Sequence, residues 1–308
     1  MGSLLRAAGA TIALGAAGLT YSAVVEPRMF TVRRFTVPVL PAGVAPFTIL
    51  HISDVHMTPN QQMKQRWLAS LADLQPDLVV NTGDNLSHAD AVPSVLRAYG
   101  DLLDLPGVFV FGSNDYFSPK PKKWSRYLNG GTGVDVDGPW NREADLPFEE
   151  MRQAFNQRGW VDLTNRHDAL TIGERSLAFV GVDDPHLRYD VLDDVPADRS
   201  ADLAIGVTHA PYLRVLDRWN SLGYPLILAG HTHGGQLRVP FYGALVTNCD
   251  LDTKRARGLH RHSVDGNDPS WMHVSAGAGS SPLTPVRFAC RPEATVLTLT
   301  ALDSPSSL

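Results

Sequence analysis

The sequence predicts an α/β protein built on a largely parallel sheet, and three observations carry that prediction. Short apolar runs that suit strands buried on both faces alternate with stripes of apolar residues at helical spacing. The alternation repeats three times between Phe47 and Phe111, which is the βαβ rhythm. Each run ends in a loop carrying Asp, His or Asn, as expected where active loops gather at the carboxyl ends of parallel strands. With 308 residues, 44% of them hydrophobic, the chain can bury a substantial core. A net charge of −5 provides no general basic face, so no nucleic-acid partner is expected. Two cysteines, Cys249 and Cys290, exclude a thiolate metal cluster and leave room for at most one bridge.

No charged residue occurs from Ala7 to Val25, and nineteen uncharged residues can span a hydrocarbon core as a helix. Residues 1–30 are therefore read as a membrane anchor or signal segment, giving a membrane-associated protein with a single N-terminal span. Arg6 lies before the stretch and Arg28, Arg33 and Arg34 after it, which leaves the side of the membrane open. Residues 31–46, with Pro38, Pro41 and Pro46, read as an extended linker containing an edge strand near Phe35–Val39. The catalytic domain is expected over 47–302, with 303–308 a tail.

Phe47 to Ser53 suits a buried strand and delivers Asp54-Val55-His56, two ligand-type residues at i and i+2. Thr58-x-x-Gln61 has the form of a capping box, and Met63, Trp67, Leu71 and Leu74 follow as an expected core stripe. Pro76 to Thr82 is a second strand, ending in Gly83-Asp84. The stripe Val92, Leu96, Tyr99 and Leu103 leads to a third strand, Gly107 to Phe111, which ends in Gly112-Ser113-Asn114-Asp115. Residues 117–147 break the rhythm with prolines, glycines, Lys120, Lys122, Lys123 and Arg126 among Trp124 and Tyr127, and are read as an inserted lid or binding loop.

A short helix carries Phe148, Met151 and Phe155, and a hairpin around Gly173-Glu174 ends in Asp183-Asp184-Pro185, which need only cap a turn. Ala204 to Thr208 then brings up His209. Leu226 to Ala229 leads into Gly230-His231-Thr232-His233-Gly234-Gly235-Gln236, where the glycines allow a tight turn and close approach to a bound group. Further strands are expected over Gln236–Val246, Trp271–Ser275 and Thr295–Leu299. His51, inside a strand, reads as a hydrogen-bonded core histidine, and His260 and His262, amid Lys254, Arg255, Arg257 and Arg261, as a solvated basic face.

Asp54, His56, Asp84, Asn114, His209, His231 and His233 thus stand at five strand ends. Seven mixed oxygen and nitrogen donors exceed one tetrahedral site and suit two adjacent divalent ions, which clamp an in-line phosphoryl displacement. Mn²⁺ is the metal expected, and Fe or Zn²⁺ would also be accepted by these donors.

In these motifs, in this order, the sequence resembles the calcineurin-like metallophosphoesterases. The shared pattern is Asp54-Val55-His56, Gly83-Asp84, Gly112-Ser113-Asn114-Asp115, Thr208-His209 and Gly230-His231-Thr232-His233. The His-Thr-His-Gly-Gly-Gln ending and hydrophobic N-terminus look like the membrane-associated bacterial branch that includes UDP-diacylglucosamine pyrophosphohydrolase-like enzymes. The resemblance implies a four-layer αββα sandwich and a dinuclear centre. One ion would be held by Asp54, His56 and His233, the other by Asn114, His209 and His231, with Asp84 bridging. It implies hydrolysis of a phosphate diester or pyrophosphate, lipid-linked or nucleotide, by a metal-bridging hydroxide. One motif departs from the family. Ser113 falls where the ligand Asn stands and Asn114 where a catalytic His stands, so a loop shift is expected to let Asn114 coordinate, with Asp115 nearest the missing His. Asp84, Asn114 and Asp115 are the catalytic candidates, His186 a possible replacement acid, and Lys254 or Arg257 possible phosphate contacts. The alternative is a phosphoesterase-fold metal-binding scaffold with impaired catalysis.

Overall fold

The structure, a computed structural model, describes residues 15–120 and 143–302. Most of the expected lid falls outside these residues, as do the tail and the first part of the apolar N-terminal stretch. Within them no helix is long and apolar enough to cross a membrane. Residues 15–20 are helical and run into a π turn, Tyr21–Val25, and a 3₁₀ turn, Glu26–Arg28.

Fourteen strands and five α-helices follow in the described residues. In chain order they are β1 (Thr31–Leu40), β2 (Phe47–Ile52), α1 (Gln62–Ala69), β3 (Leu78–Asn81), α2 (Val92–Tyr99), β4 (Gly107–Phe109), α3 (Ser113–Tyr116), α4 (Phe148–Gln157) and β5 (Val161–Asp162). Then come β6 (Arg166–Ile172), β7 (Arg175–Gly181), β8 (Leu203–Val207), α5 (Leu213–Ser221), β9 (Leu226–Ala229), β10 (Arg238–Val239), β11 (Gly243–Ala244), β12 (Gly258–His262), β13 (Ser270–Val274) and β14 (Glu293–Ala301). Two six-stranded sheets result, ordered β1-β14-β2-β3-β4-β5 and β12-β13-β9-β8-β7-β6. Pairs from β2 through β5 are parallel, as are those of β7, β8, β9 and β13. The edge strand foreseen near Phe35–Val39 runs the full ten residues of β1, parallel to β14.

Alternation of side chains decides the layers. Phe47, Ile49, Leu78, Val80 and Val108 meet Leu203, Ile205, Val207, Leu226 and Leu228 between the sheets. Their strand neighbours Leu50, Ile52, Val79 and Phe109 face outward onto Leu68, Val95, Tyr99, Met151 and Phe155 of the helices. On the far side, Ala204, Ile227 and Met272 pack against Val215, Leu216 and Trp219 of α5. The sheets therefore face each other with helices outside both, which is why these strands read as unbroken apolar runs.

Three expectations need correction. Met63 is exposed; Leu68 and Leu71 supply the inward contacts of that stripe. The strand expected over Gln236–Val246 is a short hairpin, β10 and β11, because Pro240 and Gly243 break it. His262 is not solvated: it is buried, with Nε2 2.9 Å from Asp217 Oδ1 and Nδ1 2.9 Å from Arg255. His51 is a hydrogen-bonded core residue, its two nitrogens 2.8 Å from His273 Nδ1 and 2.9 Å from Thr82 Oγ1. Cys249 and Cys290 are both buried and free.

Candidate metal centre

The loops after β2, β3, β4, β8 and β9 converge at one end of the two sheets. Packing there is close. A Cβ on Gly230 would stand 1.8 Å from Ser53 Oγ and 2.7 Å from Asp54 Oδ2, and one on Gly112 would stand 2.4 Å from Asp84 Oδ1. The donors sit on unusual backbone: Asp54, His56, Asp84, His231 and His233 all have φ between 46° and 68°. Left-handed conformations at non-glycine residues cost energy and persist where the surroundings impose them, typically at functional sites.

Asp54, His56, Asp84 and His233 form one group in which one ligand atom from each residue lies within 4.8 Å of the others. His56 Nε2 is 3.2 Å from His233 Nε2 and 3.5 Å from Asp84 Oδ2, and His233 Nε2 is 3.5 Å from Asp54 Oδ1. Across the same carboxylate, His209 Nε2 lies 3.5 Å from Asp84 Oδ1. The ring of His231 crosses that of His209 edge-on at 5.2 Å. Asn114 stands against Asp84 itself: its backbone N–H donates to Oδ1 at 2.7 Å and its side-chain amide to Oδ2 at 2.8 Å.

The hydrogen bonds around these side chains fit a cation. His209 Nδ1–H donates to Thr82 O at 2.7 Å and His233 Nδ1–H to Gly279 O at 3.2 Å, which leaves Nε2 of each ring as the nitrogen turned inward. Asp54 Oδ2 accepts from Ser53 Oγ at 2.6 Å and from the His231 N–H at 3.0 Å. Asp54 Oδ1 and His209 Nε2 are buried without a hydrogen-bond partner among the described residues. An unpaired buried polar atom costs about 1–3 kcal/mol, so two of them facing one cluster point to a ligand that is itself positive.

Protonation tendencies agree. Burial drives His233 and His231 well below the ordinary histidine value and His56 to about 4, leaving neutral donors at neutral pH. Burial disfavours the charge on His209 too, yet Asp84, Asp184 and Asp54 push it up to about 9. Burial would raise Asp84, but His209, His56 and Asn114 hold it below the usual carboxylate range. The field at Asp84 favours positive charge on either side of it.

Asp115 does not join the cluster. Its carboxylate is fully buried and accepts three backbone N–H groups, from Asp84 at 2.7 Å, Asn85 at 2.8 Å and Gly112 at 2.9 Å. With both oxygens so occupied it cannot reach a substrate; it fixes the two loops that carry Asp84 and Asn114. Lys254 is exposed on a 3₁₀ turn, and Arg257 directs its guanidinium to Cys290 Sγ at 3.7 Å. His186 lies beside the cluster, its ring 4.7 Å from that of His231 and its Nδ1 3.0 Å from Tyr212 OH.

Two supporting residues carried no sequence signal. Arg287, fully buried, donates through Nη2 to Ala276 O at 2.8 Å and lies 3.4 Å from His233 Nδ1. Lys64, a buried residue of α1, donates to Val55 O at 2.6 Å and to Gln61 Oε1 at 3.0 Å, holding the Asp54–His56 loop. Neither stands in a motif; each is a lone cation whose partners are carbonyls distant in sequence or unremarkable in type.

Comparison with known proteins agrees with this geometry. The family model described as calcineurin-like phosphoesterase matches residues 47–235. The chain is 26% identical over 305 residues to "Uncharacterized metallophosphoesterase YkuE" of Bacillus subtilis (strain 168), covering 95% of this chain and 93% of that one. It is 26% identical over 303 residues to "Phosphodiesterase YaeI" of Escherichia coli (strain K12), covering 96% and 97%. It is 25% identical over 267 residues to "Transmembrane protein with metallophosphoesterase domain" of Danio rerio, covering 84% of this chain and 54% of that protein. The matched span includes all seven residues expected as metal donors and exceeds half of the chain, so this protein is a hydrolase that belongs to the calcineurin-like phosphoesterase family.

Proposed function

We propose that the protein hydrolyses phosphodiester or pyrophosphate bonds with two divalent ions, Mn²⁺ first among them, on a lipid-linked or nucleotide substrate near a membrane. The observation that carries this reading is Asp84: one oxygen faces His56 at 3.5 Å and the other faces His209 at 3.5 Å. A carboxylate so shared suits a bridge between Asp54, His56 and His233 on one side and Asn114, His209 and His231 on the other. Ions held there would activate a water for in-line attack and offset charge developing on the phosphoryl oxygens.

The chain's own residues have separable roles. Asp84 joins the two halves, and Asn114 orients it through two hydrogen bonds. Asp115 holds the backbone of both loops. Ser53 and the His231 N–H occupy Asp54 Oδ2, directing Oδ1 inward. The Gly112–Asp115 loop contains no imidazole, which favours a leaving group that departs without help from an acid, such as a nucleotide or phosphate of a pyrophosphate. His186 is the candidate for any residual assistance. The uncharged stretch from Ala7 to Val25 would keep the enzyme at a bilayer, in keeping with the name of the Danio rerio relative.

The test is hydrolysis of bis(p-nitrophenyl) phosphate by the full chain in detergent, stripped of metal and reloaded with Mn²⁺ or Zn²⁺, beside Asp84→Ala and His231→Ala. Metal-dependent turnover lost in both variants supports the reading. Metal binding without turnover of any ester would instead favour the scaffold alternative.

A further inference from the structure

The large apolar side chains left exposed are not scattered. Among the described residues, eleven of the fifteen fall in three stretches, Leu19–Val25, Leu237–Leu245 and Leu283–Phe288. These stretches form one surface. Tyr21 meets Phe288 edge-on with ring centroids 6.3 Å apart, Leu237 bridges to Phe288, and the Arg238 N–H donates to Phe288 O at 2.9 Å. Tyr21, Pro240 and Phe288 line one shallow cleft together with Arg33, Arg257 and Arg291.

The outermost part is the hairpin of β10 and β11, paired only through Arg238 with Ala244 and Val239 with Gly243. Its turn holds Phe241 fully exposed at φ 66° and Tyr242 75% exposed. A two-stranded hairpin is marginal in water by itself, and a contiguous apolar patch of this kind marks an interaction site. The rim is cationic. Arg257 and Arg33 add to burial in depressing Arg238, which shows how closely these charges crowd. The neighbouring acids face inward: Glu26 accepts the amides of Ala289 and Cys290, and buried Glu293 pairs with Arg33.

An aromatic and aliphatic centre with an arginine rim suits the interface of an anionic bilayer, where rings sit at headgroup depth and guanidiniums meet phosphates. What selects lipid over a protein partner is the chain itself. The sequence is uncharged from Ala7 to Val25, and within that stretch Tyr21 packs on Phe288 of this same face.

We propose that the β10–β11 hairpin, with Leu283–Phe288 beside it, docks onto an anionic lipid bilayer, Phe241 and Tyr242 entering the interface. Arg238 Nη1 also donates to Gly234 O at 2.9 Å, one residue beyond His233, so docking would bring the metal-donor cluster next to the lipid surface. This deepens the membrane-proximal reading above by naming the contact surface, and its test needs no turnover, so failure of either is separately visible.

The experiment uses the full chain with Phe241→Cys carrying an NBD label, and Glu174→Cys in the β6–β7 turn as the control position; Cys249 and Cys290 are buried. Vesicles are phosphatidylcholine with or without phosphatidylglycerol. The expected result is a blue-shifted, several-fold brighter emission at position 241 with anionic vesicles, quenched by doxyl lipid, and no change at position 174. Arg257→Gln combined with Arg291→Gln should weaken that response roughly tenfold or more in vesicle concentration, at about one tenfold step for each one to two charges removed. Co-sedimentation with vesicles and an unchanged label at 241 would overturn the proposal, the N-terminal stretch then being sufficient. An emission shift that grows with protein concentration in the absence of vesicles would overturn it in favour of self-association.

Discussion

Asp115 grips Asp84 by its backbone, its Oδ2 accepting the Asp84 N–H at 2.7 Å while the same oxygen accepts the Gly112 N–H at 2.9 Å. One buried carboxylate therefore locks together the loop bearing the shared ligand and the loop bearing Asn114. Asp115→Asn would present an NH₂ group to at least one of those donors. The expected cost is about 1–3 kcal/mol of stability, with weaker metal binding but an unchanged KM at saturating metal. Thermal melts across a Mn²⁺ titration, with steady-state kinetics, separate this positioning role from a catalytic one.

The two sides of Asp84 should lose metal independently. Elemental analysis of His233→Ala and of His209→Ala is expected to fall from about two ions per chain to about one, and Asp84→Ala to lose both. Undiminished metal content in His209→Ala would contradict a second ion at that nitrogen.

Leaving-group dependence reports the missing imidazole. Aryl diesters with acidic phenols should be cut far faster than alkyl esters, the poor leaving groups showing a deficit of roughly 10²–10⁴. A shallow dependence on leaving-group pKa in the parent enzyme would mean that another acid, such as His186, already serves.

Gly230 is required for contact rather than for conformation. A methyl group there meets Ser53 Oγ at 1.8 Å and Asp54 Oδ2 at 2.7 Å. Gly230→Ala is expected to cost about 3 kcal/mol or more and to displace Asp54. Chemical denaturation of the metal-free protein checks the stability, and Mn²⁺ titration checks the displacement.

Asp183 supplies a pH test away from the metal donors. Burial holds its carboxyl up at about 6, even though Oδ1 accepts from Tyr116 OH at 2.9 Å and the Asp184 N–H at 2.7 Å. The folded chain keeps that proton where the unfolded chain has released it, so the group costs stability increasingly from about pH 4 to about pH 6, and fully above that. Asp183→Asn retains the accepting oxygen without the charge. It should stabilise the fold by about 1–2 kcal/mol near pH 7.5 and by nothing near pH 4. Melting temperatures at the two pH values decide the matter.

The separation between what is legible and what is not follows the range of the interactions. The strands around Phe47–Ile52, Leu78–Asn81 and Leu226–Ala229 are written in apolar runs of four to six residues, and their ends carry the donors, because strand burial and turn chemistry act between near neighbours. Residue type alone marked Asp54, His56, Asp84, Asn114, His209, His231 and His233 as possible ligands. Asp115 looked like the nearest substitute for a lost imidazole because sequence adjacency does not say which way a side chain turns; α3 turns it under the loop.

Tertiary structure alone decided the rest. Arg287 lies beneath His233 across 54 residues, and Glu26 caps the Ala289–Cys290 amides across more than 260. Those partnerships depend on how two twisted sheets close on each other and where the N-terminal turn comes to rest, which no local pattern encodes. The chemical identity of the donors was thus set by the sequence, whereas their mutual distances, the unpaired atoms they leave and the exposed aromatic hairpin beside them exist only because loops from different strands are brought to one end of the fold.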